Sequence, residues 1–289
     1  MNSFKHFLFL INPVSGSAKL NWVEILQTVK PKGYNFEYLV WKEADKKALM
    51  IRDINSSDAE VLVAVGGDGT INLLAELVLQ KEKVLGIIPS GSGNGLARHL
   101  KIPLDTNKAI SWLLNSEVKK MDVASVNDNH FLCTAGVGFD ALIGKDFAKR
   151  DSTGFWGYVK KVINRVFSYS PELYRLKIGN SVVEKEAYMI TFANASQFGN
   201  NAFIAPQASV EDGKLNICIM KPFPLIMALP IAFRLFTKSL DKSKYLETLT
   251  LSEINIDRNP GPVHLDGDPY EMNGSLNIKI LPKKIKVIY

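Results

Sequence analysis

The chain has 289 residues, 46% hydrophobic and 22% charged, which leaves room for two domains with cores of their own and excludes a disordered or fibrous protein. Its net charge of +6 is spread along the chain with no long run of like charges. That excludes a basic tail for nucleic acid and favours phosphates or an anionic membrane surface as partners. The two cysteines, Cys133 and Cys218, each sit in an apolar run, as expected of a reduced, cytoplasmic protein rather than a disulfide framework.

In chain order, Phe7–Ile11 reads as a buried strand, ended by Asn12-Pro13, so MNSFKHFLFLINP is expected to be a strand and not a leader peptide. Helical spacing over Leu20–Val29 stops at Pro31-Lys32-Gly33. Strands are expected at Tyr34–Trp41, Glu60–Val65 and Val84–Ile88, alternating with helices at Ala44–Ile54, Ile71–Leu79, Asn94–Leu100 and Lys108–Leu114. This alternation predicts a doubly wound parallel α/β domain. Beyond Met121 the pattern changes: a hairpin of Asp122–Val126 and His130–Ala135, a helix over about Asp140–Phe167, then strands Tyr174–Ile178, Val182–Phe192, Leu215–Met220, Glu247–Ile256 and Leu276–Ile280. These predict a mainly antiparallel β-sandwich. Domains of residues 1–118 and 119–289 follow, with the last strand free to pack back on the first domain.

Three of the parallel strands run into small, polar loops: Asn12-Pro13-Val14-Ser15-Gly16-Ser17, Gly66-Gly67-Asp68-Gly69-Thr70 and Pro89-Ser90-Gly91-Ser92-Gly93-Asn94-Gly95. Glycine lets the backbone approach a ligand, and amides at a helix start favour phosphate. Ligands of open α/β sheets bind beyond the carboxyl ends of the strands, so the three loops together predict a nucleotide phosphate site. No Lys-Ser pair follows the glycines, and the spacing is not the dinucleotide fingerprint. Asp68 would repel phosphate unless it holds a metal or takes a proton, which suggests Mg²⁺ or catalysis.

These motifs, NPVSG, GGDGTIN and PSGSGNGLAR, in this order and spacing, resemble the catalytic domain shared by diacylglycerol kinases, sphingosine kinases and their soluble bacterial relatives. Asn194, the run from Ala205-Pro206 to Leu215, and His264-Leu265-Asp266-Gly267-Asp268 resemble the family's later landmarks, so the likeness spans nearly the whole chain. The resemblance implies an ATP- and Mg²⁺-dependent lipid kinase, with ATP between two domains and held by Asn12, Pro13, Val14, Ser15, Gly16, Gly66, Gly67, Asp68, Gly69, Thr70, Asn72, Ser92, Gly93 and Asn94. It implies a structural Mg²⁺ at Val210–Lys214 with Asp212 as carboxylate ligand, although the residues alone fit a hairpin turn equally well. It implies Asp268 as general base, with Asp122 and Asp266 as weaker site candidates. Many relatives carry glutamate where Asp268 stands and an acid where Gly95 stands.

Diacylglycerol is the expected acceptor, with a sphingoid base or another lipid alcohol as alternatives. The loop lacks the Asn-Glu pair that NAD kinases use for ribose hydroxyls, and an inactive nucleotide-binding regulator is the reading outside enzymes. Two apolar segments flanked by lysines, Phe223–Leu240 and Phe155–Lys161, fit a peripheral resting place on anionic lipid or helices packed on a core. Nothing spells a transmembrane span, and a homodimer is compatible with all of this. The four histidines are scattered and suit no zinc set.

Overall fold

The structure is a computed structural model that describes residues 3–13, 15, 20–41, 47–148, 165 and 169–289. It divides into two compact units, Met1–Met121 with Lys283–Tyr289, and Asp122–Pro282.

The first unit alternates β1 (His6–Ile11), α1 (Trp22–Val29), β2 (Asn35–Val40), α2 (Lys47–Ser56), β3 (Val61–Gly66), α3 (Asp68–Lys81), β4 (Val84–Pro89), α4 (Gly95–His99) and α5 (Thr106–Asn115). The strands are parallel in the order β2-β1-β3-β4. Every residue of β3 and β4 is buried, as continuous apolar runs in a sheet covered on both faces must be. Phe7, Phe9, Val63 and Val65 turn one way, onto Trp22 and Leu26 of α1 and Ile110 and Leu113 of α5. Leu8, Leu10, Leu62 and Ala64 alternate with them and are buried too; α3 packs on β3 and β4 and buries Ile71, Leu74 and Val78. Asn21 and Asp105 start their helices by accepting the Glu24 and Lys108 amides.

The second unit is a sandwich. Its strands are the latter part of β5 (Val118–Val126), then β6 (Asn129–Phe131), β7 (Thr134–Gly138), β8 (Glu172–Ile178), β9 (Ser181–Ala187), β10 (Met189–Ala193), β11 (Leu215–Met220), β12 (Leu246–Leu251), β13 (Glu253–Asp257), β14 (Gly261–Leu265), β15 (Asp268–Met272) and the start of β16 (Ser275–Ile288). One sheet runs β12-β11-β10-β7-β14-β15, antiparallel throughout. Facing it, β13 pairs with β16 and β8, β8 with β9, and β5 with β16 and β6. Ile190, Phe192, Ile217 and Ile219 meet Tyr174, Leu176, Ile254 and Ile278 between the sheets. Among the described residues the unit also carries the helices α6 (Phe139–Ala148) and α7 (Ala228–Phe236).

Three expected strands are each broken in two. Val182–Phe192 divides at Tyr188 into β9 and β10, Glu247–Ile256 at Ser252 into β12 and β13, and His130–Ala135 at Leu132-Cys133 into β6 and β7. Each break carries the chain from one sheet to the other. An apolar run that crosses a shared core keeps its composition, so hydrophobicity marks no corner. The helix expected to Phe167 begins as α6; residues 149–164 and 166–168, with the Phe155–Lys161 segment, lie outside the described residues. Both cysteines are buried free thiols, and burial pushes Cys218 up to about 12.

Candidate functional site

In the first unit, β1 and β3 lie side by side while the chain continues from them to opposite flanks, β2 and β4. This is the switch point at which open α/β sheets bind ligands. The three loops meet here. The Asn12 amide donates to the Val65 carbonyl at 3.0 Å, and the Ser90 amide to the Gly66 carbonyl at 2.8 Å. Asn12 Nδ2 donates to Thr70 Oγ1 at 3.1 Å, and Ser15 Oγ to the Ser90 carbonyl at 3.1 Å. Val14 and Gly16 lie outside the described residues.

Gly67 precedes α3 in extended conformation. A Cβ on it would stand 3.0 Å from Gly91 Cα, so the second and third loops touch backbone to backbone, which only glycine permits. The third loop is shaped by Asn94, buried and left-handed at φ 49°. Its side chain accepts from the Gly91 amide at 2.9 Å and donates to the Gly91 carbonyl at 2.8 Å. Arg98 Nε donates to the Gly93 carbonyl at 3.1 Å. Gly69 and Ser92 are exposed at the rim, and Asn72 lies on α3 one turn into the helix.

Asp68 is the first residue of α3 and its carboxylate is engaged: Oδ2 accepts the Gly95 amide at 3.0 Å and Oδ1 the Leu96 amide at 3.2 Å. Burial pushes its carboxyl above the usual carboxylate range, while those amides pull the other way. Asp68 thereby ties the second loop to the start of α4, whose amides it occupies. Ser90, the second residue of the third expected loop, is another link between loops through its amide and its carbonyl.

The remaining acids belong to the second unit. Asp122 is buried; its Oδ2 accepts the Gly213 amide at 2.7 Å, its own amide donates to the Val210 carbonyl at 2.7 Å, and its carbonyl accepts Asn194 Nδ2 at 3.1 Å. It anchors the turn that holds Asp212, which is exposed and accepts the Lys214 amide at 3.0 Å. This turn is closed by amides, and among the described residues no three His, Cys, Asp or Glu side chains cluster as a metal cage. A cation at this turn would therefore rest on the Asp212 carboxylate and backbone carbonyls beside it, the hard oxygen donors that Mg²⁺ takes.

Asp266 and Gly267 form the two-residue turn between β14 and β15, with φ of 50° and 91°, as a tight hairpin requires. The Asp266 carboxylate accepts three amides, of Leu132 at 2.8 Å, Cys133 at 2.8 Å and Thr134 at 3.0 Å. Asp268 opens β15, exposed. Beside this hairpin lies a buried set that no sequence motif announces: Asp140 Oδ2 accepts Thr191 Oγ1 at 2.6 Å and lies 3.3 Å from His264 Nε2. His264 belongs to the landmark run His264–Asp268 and is one of the four scattered histidines, and its partner Asp140 lies 124 residues away.

Residues 6–126 match the family model of the diacylglycerol kinase catalytic domain, and residues 134–289 that of the YegS C-terminal NAD kinase beta sandwich-like domain. The diacylglycerol kinase of Bacillus subtilis (strain 168) is 26% identical over 224 residues, 75% of this chain and 74% of that protein. A Pectobacterium atrosepticum protein named as a YegS-like lipid kinase is 26% identical over 286 residues, 96% of this chain and 93% of its own. A solved structure from Bacillus anthracis, assigned as a diacylglycerol kinase, superposes with a TM-score of 0.82 at 22% identity, covering 100% of this chain and 96% of that one. That likeness shows a shared fold.

Proposed function

This chain belongs to the lipid kinase family that joins a diacylglycerol kinase catalytic domain to a YegS C-terminal sandwich, and from that premise we propose that it phosphorylates a hydroxyl of a membrane lipid with magnesium-bound ATP, most directly diacylglycerol to phosphatidic acid. The observation that carries the reading is the hydrogen-bonded meeting of three loops at the ends of β1, β3 and β4, with Gly67 against Gly91. Such a floor of glycine backbone and hydroxyls suits a triphosphate. Asn12, Ser15, Thr70 and Asn94 hold it in shape; Asp68 fixes the third loop relative to the second and serves the transfer by positioning.

In the proposed step the acceptor oxygen forms a bond to the γ-phosphorus, the bond from that phosphorus to the bridging β,γ-oxygen breaks, and ADP leaves. The acceptor's proton passes to the Asp268 carboxylate as general base. Magnesium enters with ATP as part of the substrate and neutralises charge on the transferred group.

The test is labelled ATP offered with diacylglycerol, sphingosine and NAD side by side, to the wild type and to Asp268→Asn. The reading expects label in the lipid product, and a fall of about a hundredfold or more in the variant with ATP binding retained. A second reading, NAD kinase, draws on the description of the matched sandwich as NAD kinase-like. Phosphorylation of NAD alone would establish it and end the lipid proposal.

A further inference from the structure

We propose that α7 is the part of this protein that rests on the membrane, its outer stripe entering the boundary of headgroups and acyl chains in an anionic bilayer. A 3-10 turn, Leu225–Met227, runs straight into α7. On the inner side Met227, Ile231 and Leu235 join Met189, Cys218 and Met220, so the helix is docked on β10 and β11. The opposite side carries Ile226, 84% exposed, Leu229 and Phe233, each 68%, and Phe236, 47%. These positions advance by three, four and three, which sets them in one line along a helix. Exposed apolar residues scattered singly are ordinary; a continuous line of large ones marks a surface that something covers.

Charge indicates what covers it. Between Phe223 and Lys244 stand Arg234, Lys238, Lys242 and Lys244 against Asp241 alone. Lys238 lies over the Phe203 ring at 4.4 Å and Lys244 over the Tyr245 ring at 5.1 Å, so two ammonium groups are held near the helix by aromatic faces. An apolar line bordered by cations is complementary to anionic lipid. A second copy docking on the same face would bring its own cations against these. The inference rests on the lipid-kinase reading for its purpose, since an acceptor dissolved in a bilayer must be met there.

The full chain is sedimented with vesicles of phosphatidylcholine alone and of phosphatidylcholine mixed equally with phosphatidylglycerol, beside the double variant Leu229→Ser/Phe233→Ser. Both side chains already face water, so the variant is expected to melt at the wild-type temperature. The wild type should prefer the anionic vesicles, and the variant should bind them about a hundredfold more weakly, since each of the two large apolar side chains changes partitioning by about tenfold. Turnover of a short-chain diacylglycerol dissolved below its micellar concentration should be unchanged. Vesicle binding equal in variant and wild type overturns the proposal, as does a wild type that ignores both vesicles. Loss of short-chain turnover along with binding would move the stripe to the acceptor site and overturn it too. A variant that loses only self-association in sedimentation velocity would make the face a dimer surface. A wild type that binds vesicles through α7 yet phosphorylates no lipid alcohol leaves the docking surface standing and refutes the kinase reading instead.

Discussion

Replacing Asp68 acts on shape before chemistry, because its carboxylate holds the first amides of α4. Asp68→Ala frees two N–H groups and also relieves the burial of a charge. The lost bonds exceed the relief, with an expected net loss of about 1–3 kcal/mol in urea unfolding together with weaker ATP binding by calorimetry. Asp68→Asn keeps one acceptor and should lose about half as much. The sequence marked Asp68 as unusual among phosphate-binding glycines, and that was legible from charge alone. Its partners were not, since they lie 27 and 28 residues further along. His99, closing α4, shows the same limit: burial first, and Lys101 second, push it down to about 4 from 6.5. Between those values the unfolded chain takes up a proton that the folded chain refuses. Stability is therefore full above 6.5 and falls as the pH drops through this window. Melting curves from pH 7 to 4 should show a gentler decline for His99→Gln than for the wild type. Parallel declines would assign the acid sensitivity to another group.

At the scale of elements, the hairpin β14–β15 separates two acids only two positions apart. Asp266 gathers three amides where the chain turns from β6 into β7, whereas Asp268 is exposed at the head of its strand. Asp266→Ala should therefore cost about 3 kcal/mol or more and lower the melting temperature by roughly 6–12 °C. Asp268→Asn should melt like the wild type while losing turnover; a large drop in its melting temperature would show a structural role. Strand–helix alternation and glycine-ended strands made the first unit readable, because a buried parallel strand and its loop are written in contiguous residues. The sandwich was readable as a class but not in its joints. Tyr188 and Ser252 sit inside unbroken β-forming runs, and what turns the chain there is which sheet has room for it. The α7 segment was readable as apolar beside lysines; which side chains face water depends on the sheet beneath it.

For the molecule as a whole, magnesium carried by ATP and an ion held at the Asp212 turn are separable by experiment. Chelation with EDTA should abolish turnover, because the nucleotide no longer carries its cation, and should lower the melting temperature of the ATP-free chain through loss of an ion at the Asp212 turn. An unchanged melting temperature on chelation would remove the structural ion from that turn. Among the described residues no helix is long and apolar enough to cross a membrane, so any lipid acceptor has to be met without a helical anchor from these residues. The far end of β16 carries a different consequence. Lys286 and Val287 pair with Val84 and Leu85 of β4, and Ile288 joins the core beneath α5. During synthesis on the ribosome, residues 1–121 emerge long before these, so the nascent first unit waits with an open edge and an unfilled place in its interior while the whole sandwich is translated. An unpaired strand edge invites sticking to other chains, which makes this interval the one in which a chaperone would matter most.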